Sequence, residues 1–137
     1  MPIAYSVDRE RRWLFAVAEG EAGFSEIATH LRKERDDGGL PFPELIDATR
    51  ATVALSGAEV RRVVDLLRDL ARHGALGPTA VVVGDDVSYG VMRMLEILVE
   101  DVCAVRPFRG RLEAEEWLLA AELEASGPNG SGDRSGP

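Results

Sequence analysis

The sequence predicts an α/β fold, a mixed β-sheet of about five strands with four helices in the order ββαβαβαβα. Two runs of alternating apolar residues, at 3–7 and 13–17, flank a short charged turn and predict an antiparallel hairpin. Downstream, short apolar runs alternate with longer stretches of helical periodicity, which is typical of βα units with right-handed crossovers. The continuously apolar run at 79–83 is typical of a central parallel strand that is covered on both faces.

The remaining elements follow from periodicity and from capping signals. Gly20 and Gly23 are expected to end the hairpin, and apolar residues at helical spacing predict a first helix at about 22–35. Ser56, with Glu59 three positions later, forms a capping-box pattern, so a second helix is expected to begin there. The other predicted elements are a strand at 44–48, a helix at about 87–100, an edge strand at 102–108 that contains Pro107, and a last helix that ends near 125.

The chain divides into one domain and a tail. Residues 1–125 are numerous enough to form one compact domain with its own hydrophobic core. Residues 126–137, SGPNGSGDRSGP, contain no apolar side chain that a fold could bury. We therefore expect this C-terminal segment to be disordered.

The composition excludes several kinds of partner. The 24 acidic residues outnumber the 16 basic ones and give a formal net charge of −8, which disfavours a nucleic-acid partner. The sequence contains neither a long apolar run that predicts a membrane span nor a signal-type start, so we expect a cytoplasmic protein. The single cysteine, Cys103, has no partner at metal-ligand spacing, and the sequence predicts no metal site and no cofactor.

Four stretches of the chain together resemble a known family. They are PIAYSVDRERRWLFAVAEG at 2–20, ELIDATRATVALSGAEVRRVV at 44–64, AVVVGDDVSYGVMRMLEILVE at 80–100 and VRPFRGRLEAEEWL at 105–118. They are similar to the SpoIIAA-like proteins, small bacterial domains related to STAS domains, the fold of anti-sigma factor antagonists. The resemblance spans about 3–119, and its most particular part is SYGVMRM at 88–94. It implies a STAS-type sheet and a regulatory role in protein association or ligand sensing, without catalysis.

The resemblance also bears on phosphorylation. True antagonists carry a phosphorylatable serine in an Asp-Ser-Ser-Gly motif where the central helix begins. Alignment on Ser56 and Gly57 places Ala54 at the aspartate and Leu55 at the phosphoacceptor, so the usual acceptor is missing. Ser56 is the remaining candidate, because a phosphate there would meet the positive end of a helix. Its capping-box pattern with Glu59 explains the serine without any modification.

The expected partner surface lies around two predicted helix starts. A protein partner, or a second copy of this chain in a homodimer, is expected to dock beside the start of the second helix and the start of the 87–100 helix. The residues of this predicted surface are Ala54, Leu55, Ser56, Gly57, Glu59, Ser88, Tyr89 and Met92.

The 87–100 helix supports an alternative function. Its apolar arc is wider than a surface helix needs, since three or four apolar residues in two turns would suffice. Met92, Leu95 and Val99 are the candidates for the wall of a pocket that takes an apolar or lipid-like small molecule. A helix that packs in the core or lies at a dimer interface also has a wide apolar arc, and the sequence does not separate these cases.

Three carboxylates follow predicted parallel strands and suggest a third function. Asp47, Asp85 and Asp86 could hold Mg²⁺ or accept a phosphoryl group, as in response-regulator receivers, and an enzyme that uses Asp47 and Asp85 with Mg²⁺ is a third possibility. A turn hydrogen bond for Asp47 and helix caps for Asp85 and Asp86 account better for these carboxylates. His30 and His73 lie on predicted helices without a nucleophile or a ligand at motif spacing, so no catalytic residue is predicted.

Overall fold

The computed structural model describes residues 3–126, in which strands and helices follow the predicted order. The α/β prediction is confirmed. The predicted tail at 126–137 lies outside the described residues, apart from Ser126 at the end of the last helix. The elements are β1 Ile3–Asp8, β2 Trp13–Ala22, α1 Phe24–Asp37, β3 Glu44–Val53, α2 Gly57–Ala71, β4 Thr79–Val83, α3 Asp86–Leu98, β5 Val105–Phe108 and α4 Arg111–Ser126.

The sheet has five strands in the spatial order β1-β2-β3-β4-β5. β1 and β2 form the predicted antiparallel hairpin, and every later pair is parallel. Each parallel crossover advances the sheet in the same direction, so right-handed connections place α1, α2 and α3 on one face. α4 packs on the opposite face, where Ala114 and Leu118 meet Trp13 and Leu45. β5, with Pro107, forms the edge of the sheet as predicted.

Two strands are longer than predicted. The prediction ended the hairpin at Gly20 and the third strand at 48, whereas β2 continues to Ala22 and β3 to Val53. Gly20 has a positive φ of 75°, and the pairing with β3 shifts between Val17 and Glu19. At this shift Ala18 faces both Ala48 and Thr49, so the extra residue belongs to β3, and pairing resumes at Glu19, with Gly20 opposite Ala51. The extension carries β2 and β3 beyond the end of β4.

α3 divides its apolar side chains between the core and the surface. Met92, Leu95 and Val99 are buried on the side that faces the sheet and the neighbouring helices. The exposed apolar side chains are Val87, Met94, Ile97 and Leu98. Core packing therefore explains only part of the wide apolar arc that the sequence shows. None of the helices in 3–126 is both long enough and apolar enough to span a membrane.

Candidate functional site

The two halves of the predicted partner surface are joined by Ser88. The side chain of Ser88 is fully buried, and its Oγ accepts a hydrogen bond from the backbone N–H of Val53 at 2.9 Å. The backbone N–H of Ser88 in turn donates to Oδ1 of Asp85, the N-cap of α3, at 2.7 Å. Since Val53 directly precedes Ala54, this contact holds the 54–59 segment beside the start of α3. The docking role of the surface remains a prediction.

The members of that surface differ in accessibility. Ser56 and Gly57 are exposed, whereas Ser88 and Met92 are buried beneath the surface and are not accessible to a partner. The predicted capping box is confirmed: Ser56 Oγ accepts from the backbone N–H of Glu59 at 3.1 Å, and Glu59 Oε1 accepts from the N–H of Ser56 at 2.9 Å. Ser56 therefore has a structural role that needs no phosphate.

The three aspartates have local partners. Oδ1 of Asp47 accepts from the backbone N–H of Thr49 at 3.0 Å and from its hydroxyl at 2.7 Å, which confirms the predicted turn hydrogen bond. These bonds hold the pKa of Asp47 below its usual value, and the Ser88 backbone N–H does the same for the pKa of the Asp85 cap. The N-cap of α3 is Asp85, so the prediction that Asp86 also caps a helix is wrong. Asp86 is the first residue of the helix and forms an ion pair with Arg109. Within 3–126 these aspartates form no metal-ligating group.

A cavity of about 110 Å³ lies between the sheet and the helices α1, α2 and α3. Its walls are mostly apolar, and two of the predicted pocket residues, Met92 and Leu95, line it. The third, Val99, is buried in the same core but does not line the cavity. The cavity could hold a few water molecules or a small apolar molecule, since a cavity of about 150 Å³ accommodates benzene.

Three ionisable side chains meet at the wall of this cavity. His30 lies on α1, Glu34 lies one turn further along the same helix, and Glu44 is the first residue of β3. Nε2 of His30 lies 2.9 Å from Oε2 of Glu44 and 3.0 Å from Oε2 of Glu34. All three side chains are at least 95% buried. We call this group the His–Glu cluster.

One oxygen of the His–Glu cluster has no hydrogen-bond partner. The ring nitrogen of His30 is hydrogen-bonded to Glu44, but its short contact with Oε2 of Glu34 lacks hydrogen-bond geometry. An unpaired carboxylate oxygen in an apolar interior is energetically costly, because no water replaces the lost solvation. The cluster is therefore an unusual feature of the core.

The electrostatics of the His–Glu cluster favour bound protons. Burial alone lowers the pKa of His30, but the contacts with the two carboxylates outweigh burial and raise it to about 10. Burial raises the pKa of Glu34 to about 9, helped by Glu44 and opposed by His30. At neutral pH both His30 and Glu34 therefore hold a proton in the folded cluster.

Tyr5 packs against the His–Glu cluster from β1. Its ring meets the His30 ring edge-on, with 5.4 Å between the ring centres, and its hydroxyl donates to Asp37 near the end of α1. Burial and the nearby Asp37 raise the pKa of Tyr5, so its hydroxyl stays protonated. Tyr5 itself is partly exposed, which places the His–Glu cluster one side chain away from solvent.

The His–Glu cluster was not predicted from the sequence. The prediction placed His30 on a helix without assigning it a ligand role, and it did not single out Glu34 or Glu44. The four-residue spacing of His30 and Glu34 places both side chains on one helix face, and it was the one signal available. Glu44 joins them only because its side chain at the start of β3 reaches the ring of His30 on α1.

The sequence comparisons assign no family. No protein-family profile matches the chain, and no curated protein matches it. The structure is similar to the crystal structure of an uncharacterized protein from the DUF3478 family, with a SpoIIAA-like fold, from Shewanella loihica PV-4. The two chains are 18% identical, the match covers 85% of this chain and 93% of the other, and the TM-score is 0.53. At this identity the likeness establishes the fold alone: the chain has a SpoIIAA-like fold, as the resemblance implied.

Proposed function

We propose that the protein is a non-catalytic regulatory module of the bacterial cytoplasm that acts by binding another protein. The observation that carries the proposal is the set of exposed apolar side chains on α3. Val87 is 67% exposed and Ile97 is 53% exposed, and Met94 and Leu98 are exposed on the same helix. Large exposed apolar patches on soluble domains commonly mark protein–protein interfaces. The resemblance to STAS-related antagonists, which implies a role in association, also supports it.

The exposed apolar side chains are arranged to meet a partner together. Val87, Met94 and Leu98 are spaced by seven and four residues, so they lie on one side of α3. The first turn of α3 is fixed to the end of β3 through the contact between Ser88 and Val53. The proposed interface therefore combines the exposed side of α3 with the neighbouring 54–59 segment.

The charges near α3 favour a different protein over a second copy of this chain. Asp85 lies at the start of the helix and Glu100 follows its end, while Asp86 and Asp101 are paired with Arg109 and Arg68. The whole chain has a formal net charge of −8, so two copies repel each other. A partner with an apolar face and a net positive charge would complement the exposed side of α3 and the net negative charge of the chain.

Affinity capture from extracts of the source organism, with the full chain as bait, tests the proposal. Wild-type protein is expected to retain a specific protein with a basic interface at low salt and to lose part of it at high salt. Met94→Glu should abolish retention, because it introduces a charge into the apolar surface. Leu119→Glu on α4 is the matched control, since Leu119 and Met94 are each 44% exposed.

The pattern of capture by the two variants decides the proposal. A partner that is lost with Met94→Glu but kept with Leu119→Glu supports it, once direct binding is reproduced with the purified partner. Absence of any captured protein, or equal capture by both variants, contradicts it. Sedimentation that shows a wild-type dimer dissociated by Met94→Glu would replace the hetero-partner with a second copy.

The cavity supports a second candidate function, the binding of a small apolar molecule. Met92 and Leu95 contribute to its wall, and its volume of about 110 Å³ suits a compact ligand better than an acyl chain. Native mass spectrometry of the purified protein tests this function. Extra mass that disappears on denaturation would favour it, and the bare mass of the chain would count against it.

A further inference from the structure

The His–Glu cluster has the composition of a metal site. Histidine, cysteine, aspartate and glutamate are the residue types that most often bind metal ions. Among the described residues, three side chains of these types, those of the His–Glu cluster, have ligand atoms that all lie within 4.8 Å of one another. It offers one imidazole nitrogen from His30 and one carboxylate oxygen each from Glu34 and Glu44. His30 and Glu34 come from one face of α1, and Glu44 comes from the start of β3, so two packed elements fix the three donors.

The separations of the donor atoms fit a divalent ion. Ligands placed tetrahedrally around Zn²⁺ at its usual bond length of about 2.1 Å to nitrogen or oxygen lie about 3.4 Å apart, and the ion would replace the hydrogen bond between His30 and Glu44. Nε2 of His30 lies 2.9 Å from the Glu44 oxygen and 3.0 Å from the Glu34 oxygen. An ion could therefore bind all three atoms after only small side-chain movements.

A second, independent observation points to a ligand at the same place. Oε2 of Glu34 is buried and has no hydrogen-bond partner, and Glu34 also lines the cavity. A protein core rarely leaves such an atom unsatisfied, and replacement of a buried ionic group by apolar side chains is often neutral or stabilising. A metal ion would supply the partner that this oxygen lacks.

The donor set and the charge select the class of ion. Imidazole nitrogen suits Zn²⁺ and related first-row ions, whereas Mg²⁺ and Ca²⁺ prefer oxygen ligands throughout. Two carboxylates with a divalent ion and a neutral imidazole give no net charge, which burial requires. The adjoining cavity leaves room for a water molecule or another small ligand to complete the coordination.

We propose that His30, Glu34 and Glu44 form a binding site for one Zn²⁺ or a similar first-row divalent ion. The site lies at the amino ends of the parallel strands and is separate from the α3 surface proposed for partner binding. Tyr5 packs edge-on against the ring of His30 and lies beside the site. A proton shared by Glu34 and Glu44 is the competing way to neutralise the pair, and it predicts no ion binding.

Equilibrium dialysis of the full chain against Zn²⁺, after treatment with a chelator, tests the proposal. One Zn²⁺ per chain is expected, together with a higher unfolding temperature, and Mg²⁺ at the same concentration should produce neither effect. Glu34→Gln keeps the shape of the side chain and removes a charge, so this variant should fold. We expect Glu34→Gln and His30→Gln to bind Zn²⁺ at least roughly 100-fold more weakly, since even indirect supports of metal ligands matter 10- to 100-fold.

His73→Gln is the matched control, because His73 is exposed near the end of α2 and lies outside the His–Glu cluster. It should bind Zn²⁺ as the wild type does. Absence of stoichiometric Zn²⁺ binding, or equal binding by wild type and Glu34→Gln, would overturn the proposal. If the variants unfold, the visible spectrum of the wild type with Co²⁺ decides: bands of a low-coordinate Co²⁺ site with a nitrogen ligand support it, and the spectrum of free aqueous Co²⁺ overturns it.

Discussion

The two ends of the parallel strands treat polar side chains in opposite ways. At the carboxyl ends, Ser56, Asp85 and Ser88 are bonded to nearby backbone groups within caps or across one strand end. At the amino ends, the side chains of the His–Glu cluster are buried together beside a cavity, and one of their oxygens has no partner. Open α/β sheets usually bind their ligands at the carboxyl ends. Here the polar groups that folding does not explain lie at the other end.

This difference separates structural from functional candidates. A polar residue whose hydrogen bonds are satisfied by its own helix start needs no further role, and this describes Ser56 and Asp85. A buried ionic group that is left partly unsatisfied lowers stability unless something binds to it. The His–Glu cluster therefore merits functional tests, while local hydrogen bonds account for Ser56, Asp85 and Ser88 at the carboxyl end.

The largest expected effect comes from replacement of His30, the positively charged side chain of the His–Glu cluster. In metal-free protein, His30→Leu leaves Glu34 and Glu44 facing each other in the core, and we expect a loss of roughly 3–5 kcal/mol in the free energy of unfolding at neutral pH. Urea denaturation monitored by circular dichroism measures this loss. The triple variant with leucine at 30, 34 and 44 should be about as stable as the wild type or more stable. If His30→Leu proved as stable as the triple variant, the expected cost of leaving Glu34 and Glu44 together in the core would be contradicted.

The pH dependence of stability gives a second test. In the folded metal-free protein His30 keeps its proton to about pH 10 and Glu34 to about pH 9, whereas the unfolded chain loses these protons near pH 6.5 and 4.5. The folded state therefore binds more protons, and stability falls as the pH rises. The His30 contribution is complete below pH 6.5 and is lost as the pH approaches 10. The wild type should lose stability from neutral pH to pH 10 relative to the triple leucine variant, and parallel curves would contradict the shifted pKa values.

The smallest effects are expected at the carboxyl ends. Ser88→Ala leaves the buried N–H of Val53 without an acceptor and should cost about 1–3 kcal/mol of unfolding free energy. Ser56→Ala removes an exposed cap and should cost about 1 kcal/mol, whereas Ser56→Asp should keep the cap. Thermal unfolding compares the three variants. A larger loss for Ser56→Ala than for Ser88→Ala would mean that this end depends on more than its local hydrogen bonds.

Much of the fold was predictable because its signals are local. The strand at Thr79–Val83 and the capping box of Ser56 and Glu59 were predicted as observed, since apolar runs and caps depend on neighbouring residues. The lengths of β2 and β3 were not, because Gly20 stays in the strand only where it pairs with Ala51 of the neighbouring strand. For α3, the sequence showed too many apolar residues, but only packing could tell buried Met92 from exposed Met94.

The sequence by itself determined the order of the elements, the hairpin, the capping box of Ser56 and Glu59, and the acidic charge of this protein. These features follow from periodicity, from side chains within four residues of one another, and from composition. Tertiary structure alone decided that Glu44 meets His30 and Glu34, because Glu44 lies fourteen positions after His30, on the other side of the turn between α1 and β3. It also decided which side of α3 faces solvent. Both outcomes depend on how helices pack across the sheet, which no local pattern encodes.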